Sequence, residues 1–417
     1  MNKIQLENNI PIFHLESSDH LSKKINFGIW FKVGSRNDNP NYLGAAHLIG
    51  HCMLRLKLHE TLTLKEFLLQ NTIEYKLLTS IDFILLRFTC HEENILDILK
   101  KIKSAFDNIQ ISTQDFLQEK ELILNEMEIK FGTQRKKFFD SLRENLWSSN
   151  IGHPILGDMI DVSSVNIDQV KNTIHDIWKN EEFFMLYTGN LPIETVKNLF
   201  QLSPAKNTEF NHPDALLINS GRSELNSSRK ELIIPDYKVV NTSMVYELDS
   251  DLVASKSLLL PLLSRLISFG DMGFLSKILR DGGHPIYYVM AFPLSFKYED
   301  TLVINFIARK EYIPDTTKSI HNAINNLENH LNSVEKYFEV AKQGFLNDIS
   351  KSQKSDFGAM NYIGQALLYN RTLNSLNETN EEIANVTFSE LKNFARNVIL
   401  NNQPLYFTTN GEEISYD

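Results

Sequence analysis

"DFILLRFTCHEENILDILKKIKSAFDNI" (residues 82–109) and "DTLVINFIARKEYIPDTTKSIHNAINNL" (residues 300–327) follow one plan. Each opens on an aspartate, alternates apolar and polar residues, passes a polar turn, and then spaces apolar residues three and four apart. The first period predicts a strand and the second an amphipathic helix. Two more pairs follow. "VNIDQVKNTIHDIW" from Val165 matches "VTFSELKNFARNVI" from Val386, and "FFMLYTGNLP" around Gly189 matches "PLYFTTNGEE" around Gly411. The three pairs recur in one order at an offset of about 220 residues, the mark of an internal duplication. The expected fold is α+β, with two homologous halves, each a mixed sheet covered by helices. The expected boundaries are residues 1–205 and 231–417, joined by a polar, turn-rich linker over 206–230.

The composition of the 417-residue chain, 42% hydrophobic and 23% charged, is that of a globular protein with a sizeable core. A net charge of −10 argues against a nucleic-acid binder, which would carry a basic patch or stripe, and suits an acidic cavity that attracts basic peptides. Two cysteines, Cys52 and Cys90, exclude a disulfide framework and point to a reducing compartment. The N-terminal residues have neither a signal-peptide core nor a transit pattern, and no run is long enough for a membrane helix. The expectation is a soluble cytoplasmic protein.

"GAAHLIGHCML" (residues 44–54) places His47 and His51 four apart on a predicted helix, hence on one face. Two imidazoles so placed can share a zinc ion, although two helical histidines are more often ordinary surface or core residues. The run "LQEKELILNEMEIKF" offers carboxylates for a third ligand. Glu119 and Glu126 are seven apart, two turns, on one face, and a glutamate there would complete a His–His–Glu set with water at the open position. The plain alternative for this acidic helix is a solvated face.

"FGIWFKVGSRNDNPNYLGAAHLIGHCML" resembles the N-terminal signature of the inverted-motif zinc peptidases, the insulinase, pitrilysin and mitochondrial processing peptidase family, whose motif is H-x-x-E-H. "TSIDF" at Thr79, "EKELILNEM", "HPILG" at His153 and "YTGN" fall in the family's order, so the resemblance spans nearly the whole chain. It implies that His47, His51 and Glu126 match the metal ligands and that Glu119 matches a glutamate that orients them. Gly50 stands at the position of the missing base, which takes a proton from metal-bound water and returns it to the leaving amine. Lys76 and Leu77 replace an Asn-Ala pair on the edge where a substrate backbone is expected to add as a strand. "HCMLRLKL" also lacks the family's Phe-Lys-Gly-Thr continuation. Together these changes imply a lost hydrolytic centre with a weak or vestigial zinc site.

"LSKILRDGGHPIYYVMAF" is similar to the family's second-half segment, and Arg280 and Tyr287 match its Arg and Tyr, seven apart. In active members that pair holds substrate and stabilises the oxyanion, for which a guanidinium and a phenol are suited donors. A degraded first half beside a retained second half resembles the non-catalytic subunit of a heterodimeric bacterial member. The implied partner is a sister chain with an intact H-x-x-E-H and its own zinc, and the two would share a peptide substrate. Two other possibilities stay open: a zinc peptidase in its own right with Glu119 as base, or a catalytically dead peptide-binding or structural protein.

Overall fold

The computed structural model describes residues 2–5, 10–15, 22–130, 142–147, 150–180, 182–200, 215–223, 230–231, 239–270, 273–352, 355–369, 371, 376–399 and 403–410. Of the expected linker, 206–214 and 224–229 lie outside the described residues. The chain divides into two compact units. The first comprises Met1–Glu144, Ser149–Gly221 and Gln353–Gly364, and the second comprises Asn145–Ser148, Arg222–Ser352 and Gln365–Asp417. Each unit thus includes a short segment from the other half of the sequence.

In the first unit the strands are β1 (Asn2–Gln5), β2 (Pro11–Leu15), β3 (Lys24–Phe31), β4 (Lys57–His59), β5 (Leu62–Thr63), β6 (Glu74–Thr79), β7 (Ile84–His91) and β8 (Phe183–Thr188). Six of them form a sheet in the order β1-β2-β8-β3-β7-β6, with β4 and β5 as a separate pair. Only β2 and β8 run parallel in that sheet, so it is mixed. The strand β3 is "KINFGIWF", buried from Ile25 onward, because both of its faces are covered. One face, with Phe27, Ile29, Phe31, Leu86 and Phe88, packs under α1 (Ala45–Met53), α2 (Leu64–Gln70), α3 (Ile95–Asp107), α4 (Thr113–Lys130), α5 (Met159–Ser164), α6 (Ile167–Lys179) and α7 (Ile193–Phe200). On the other, Trp30 stacks on Phe184. A Cβ at Gly364 would lie 2.1 Å from the Trp30 ring, so that segment approaches the sheet as only glycine allows.

The second unit carries β9 (Lys230–Glu231), β10 (Val239–Glu247), β11 (Ile286–Ser295), β12 (Asp300–Arg309) and β13 (Leu405–Asn410), in the order β11-β12-β10-β13-β9. Here β13 and β9 are parallel and the rest antiparallel. Its helices are α8 (Ser250–Ser255), α9 (Leu259–Ser268), α10 (Phe274–Asp281), α11 (Ile313–Asn325), α12 (Leu327–Val334), α13 (Phe338–Ser352), α15 (Leu376–Asn385) and α16 (Phe388–Val398), while α14 (Asp356–Leu368) belongs to the first unit as far as Gly364. The predicted strand–helix pairs are β7–α3 and β12–α11, and the fold class is the expected α+β.

The duplication extends to single contacts. Lys120 donates from Nζ to the carbonyls of Ser163 and Val165 and lies over the Phe116 ring. Lys342 donates to the carbonyls of Ala384 and Val386 and lies over the Phe338 ring. Each lysine thereby satisfies carbonyls left open where a helix ends. Where α1 and α4 of the first unit carry His47 and Glu126, the corresponding helices α9 and α13 of the second carry an ion pair between Arg265 and Asp348.

Candidate metal centre

The helix α1 starts at a forced turn. Gly44 has φ 96°, and a Cβ there would meet the Leu156 carbonyl at 2.3 Å. Asp38 accepts from the backbone N–H groups of Gly44 (2.8 Å) and Ala46 (2.7 Å), so its carboxylate caps the helix. Burial holds its carboxyl well above the ordinary range, although those two donors pull the other way. Behind it, Arg36 donates to Asp82 at 2.5 Å with both side chains buried. The "GSRND" stretch is thus the mount of the histidine helix.

His47 and His51 face α4. Their ligand atoms and one from Glu126 lie within 4.8 Å of one another. His47 Nε2 is 3.3 Å and His51 Nε2 4.0 Å from Glu126 Oε2. His51 Nδ1 donates to Glu119 Oε2 at 2.8 Å, which fixes the tautomer and leaves Nε2 as the electron-pair donor on the Glu126 side. Two imidazole nitrogens and one carboxylate oxygen, gathered this way, are a donor set suited to zinc. The acidic helix is not merely a solvated face, since Glu119 is 3% exposed.

Glu119 is engaged at both oxygens. Its Oε1 accepts from Arg55 Nε at 2.5 Å, and Arg55 reaches on to Asp115, which also meets Lys57 at 3.1 Å. Burial pushes the Glu119 carboxyl up, but the hydrogen bond from His51 and the Arg55 guanidinium outweigh it and hold it below the usual range. A carboxylate so occupied orients its neighbours.

Gly50 is buried on a neighbouring face of α1, against the edge strand β6. A Cβ added there would come within 2.7 Å of Thr79 Oγ1 and 2.9 Å of Leu77 Cδ2. The place where a side chain at position 50 would begin is therefore filled. Lys76 and Leu77 point to opposite faces of β6, Lys76 to solvent and Leu77, half-buried, onto the core. The strand closes the sheet order and, among the described residues, pairs only with β7.

In the second unit, Arg280 lies exposed in the last turn of α10, and Gly282 and Gly283 turn the chain into β11. Ile286 pairs with Ala308 but Tyr288 pairs with Ile307, so Tyr287 sits in a β-bulge. The bulge frees it from the ladder, and it is 65% exposed.

Sequence reasoning missed Arg55, Asp115 and Lys57. A signal was present, because Arg55 is four residues after His51 and Asp115 four before Glu119. It also missed Thr79, whose role depends on how β6 meets α1.

A family model described as "Insulinase (Peptidase family M16)" matches residues 15–159, and one described as "Peptidase M16 inactive domain" matches residues 164–345. A curated relative, an uncharacterized zinc protease, YmxG, of Bacillus subtilis, is 20% identical over 204 residues. That match covers 47% of this chain, and the chain spans 46% of the relative's length. A protease from Helicobacter pylori superposes with a TM-score of 0.73 at 15% identity, covering 98% of both chains. A peptidase M16 inactive-domain structure from Pseudomonas fluorescens gives 0.74 at 15% identity, covering 98% of this chain and 96% of the other. A chain of complex III2 from Candida albicans gives 0.68 at 13%, covering 98% and 95%. These structures share the fold. Among the described residues no helix is long and apolar enough to cross a membrane. With one family's two models matching in tandem along a duplicated chain, this protein belongs to the insulinase family, peptidase family M16, and its second half is of the inactive-domain type.

Proposed function

We propose that this chain is the non-hydrolytic partner subunit of a heterodimeric zinc peptidase. It forms half of a peptide-binding chamber and presents Arg280 and Tyr287 to the zinc site of a sister chain that carries an intact H-x-x-E-H. The observation that carries this is the packing at Gly50. The general base is absent, and Leu77 and Thr79 stand against the point from which its side chain would grow. Glu119 is no substitute, with both oxygens held by His51 and Arg55. Arg280 and Tyr287, by contrast, are exposed.

His47, His51 and Glu126 would hold a zinc ion in this chain, which would supply Lewis acidity to a bound oxygen. Without a base to exchange the proton, the residues here position and bind without hydrolysing. Arg280 and Tyr287 would act on the partner's substrate as donors to developing negative charge.

The test is a reconstituted pair with a sister chain bearing the intact motif. Arg280→Ala or Tyr287→Phe should lower turnover about 100-fold or more, the usual cost of one such donor, while the pair stays associated by size-exclusion chromatography. His47→Ala in this chain should leave turnover unchanged. If His47→Ala abolishes activity and Arg280→Ala does not, the working half has been misassigned.

A further inference from the structure

We propose that the cleft beside Tyr287 is a carboxylate-binding subsite for a peptide ligand, with Arg309 as its anchor. This rests on the peptide-binding role above and adds to it the chemistry of the group that is bound.

The strand β12 ends at Arg309, and the short turn Lys310–Tyr312 folds back beside the start of β11. Pro285, Ile286, Tyr287, Arg309 and Tyr312 line a cavity of about 390 Å³. The bulge brings Tyr287 into this lining, where the residue leaves the ladder next to the Ile286–Ala308 pair. Among the described residues, neither the Arg309 guanidinium nor the hydroxyls of Tyr287 and Tyr312 have a protein hydrogen-bond or ion-pair partner. No acidic side chain is in the lining.

A guanidinium with its fork free matches a carboxylate bidentately, and phenol hydroxyls beside it donate to the remaining lone pairs. Pro285 and Ile286 supply an apolar wall for the aliphatic part of the same residue. The volume suits one or two residues, not a folded partner. The chain as a whole carries a net charge of −10, so an unpaired cation in a concave place singles out an anionic group there. The carboxylate comes from either the peptide's free C-terminus or an aspartate or glutamate side chain.

The experiment uses the full chain without any partner, so it is independent of the mixed-complex assay. Three pools of N-terminally fluorescein-labelled decapeptides of degenerate sequence are titrated and followed by anisotropy. One has a free C-terminus and no acidic residue, one is amidated with one internal glutamate, and one is amidated with glutamine in its place. The carboxamide pool should bind about 10-fold more weakly than at least one carboxylate pool. Whichever pool binds tighter identifies the source of the carboxylate. Arg309→Ala should remove that difference, and Arg309→Lys should restore part of it, with circular dichroism showing both variants folded. Equal binding of all pools, an equal effect of Arg309→Ala on all of them, or no binding by the isolated chain would overturn the subsite. The Arg280 and Tyr287 results would stand or fall separately.

Discussion

Leu77 Cδ2 lies 2.9 Å from the point where a Cβ on residue 50 would be. Gly50 and Leu77 therefore form one packing unit across α1 and β6. By the resemblance, a glutamate and a small strand residue are replaced here by a glycine and a larger apolar side chain. A side chain at position 50 therefore requires the Leu77 and Thr79 side chains to shift.

Gly50→Glu alone should destabilise the chain by about 1–3 kcal/mol, as overpacking does. Adding Leu77→Ala should recover most of the loss by vacating the space. The readout is the urea midpoint of each variant. A Gly50→Glu protein as stable as wild type would show that the side chain finds room without Leu77 moving.

Zinc is expected to copurify with the chain. The changes around Gly50 in the sequence implied a weak or vestigial site. In the structure α1 runs unbroken through a buried Gly50, and the three donors are gathered. Metal analysis should find zinc in the wild type and none after His47→Ala or Glu126→Gln. Arg55→Ala, which releases one oxygen of Glu119, should weaken affinity about 10-fold or more in a chelator competition. Equal zinc in His47→Ala and wild type would place the metal elsewhere.

Asp115 gives a pH signature. Burial pushes its carboxyl up, but the Ser112 hydroxyl, Lys57 and Arg55 more than offset that and hold it below the usual aspartate range. A depressed native value means stability that is present above the ordinary aspartate pKa, about 3.9, and lost as pH falls through the native value. Asp115→Asn should cost about 1.5–3 kcal/mol at pH 7, the range for hydrogen bonds to a charged group. The gap from wild type should close below about pH 4. Thermal melts across pH 3–7 measure it, and a gap that widens in acid would contradict the sign.

Lys342→Met should destabilise the second unit by about 1–3 kcal/mol, because two carbonyls lose their donor while the aliphatic stem is kept. Lys120→Met should do the same in the first unit. Hydrogen exchange resolved by segment would show loss of protection near Val386 in one variant and near Val165 in the other. Protection lost in neither would mean that water replaces both lysines at no cost.

Much of the fold was legible because it rests on local periods. The alternation in β7 and β12 and the three-and-four spacing in α3 and α11 are written in consecutive residues, and their recurrence exposed the duplication. The pairing of His47 with His51 was legible for the same reason, since helix geometry converts spacing into a shared face, while the choice of Glu126 over Glu119 came from the family resemblance. Arg55 and Asp115 obey that rule too, but they support Glu119 and take no part in the His47, His51 and Glu126 set. What spacing could not give was the contact of Gly50 with Leu77 and Thr79, which are 27 and 29 positions away and meet it only after β6 docks under α1. The bulge at Tyr287 was equally hidden, because it depends on the register with β12.

The ion pair of Arg265 with Asp348 bears on how this architecture can be engineered. The two helices that gather His47, His51 and Glu126 in the first unit have counterparts in the second that are clasped by a guanidinium and a carboxylate. One half of the molecule is thus a ready template for an ion-independent version of the other. Transplanting the pair to positions 51 and 126 would give a scaffold whose helix clasp needs no ion and resists chelators.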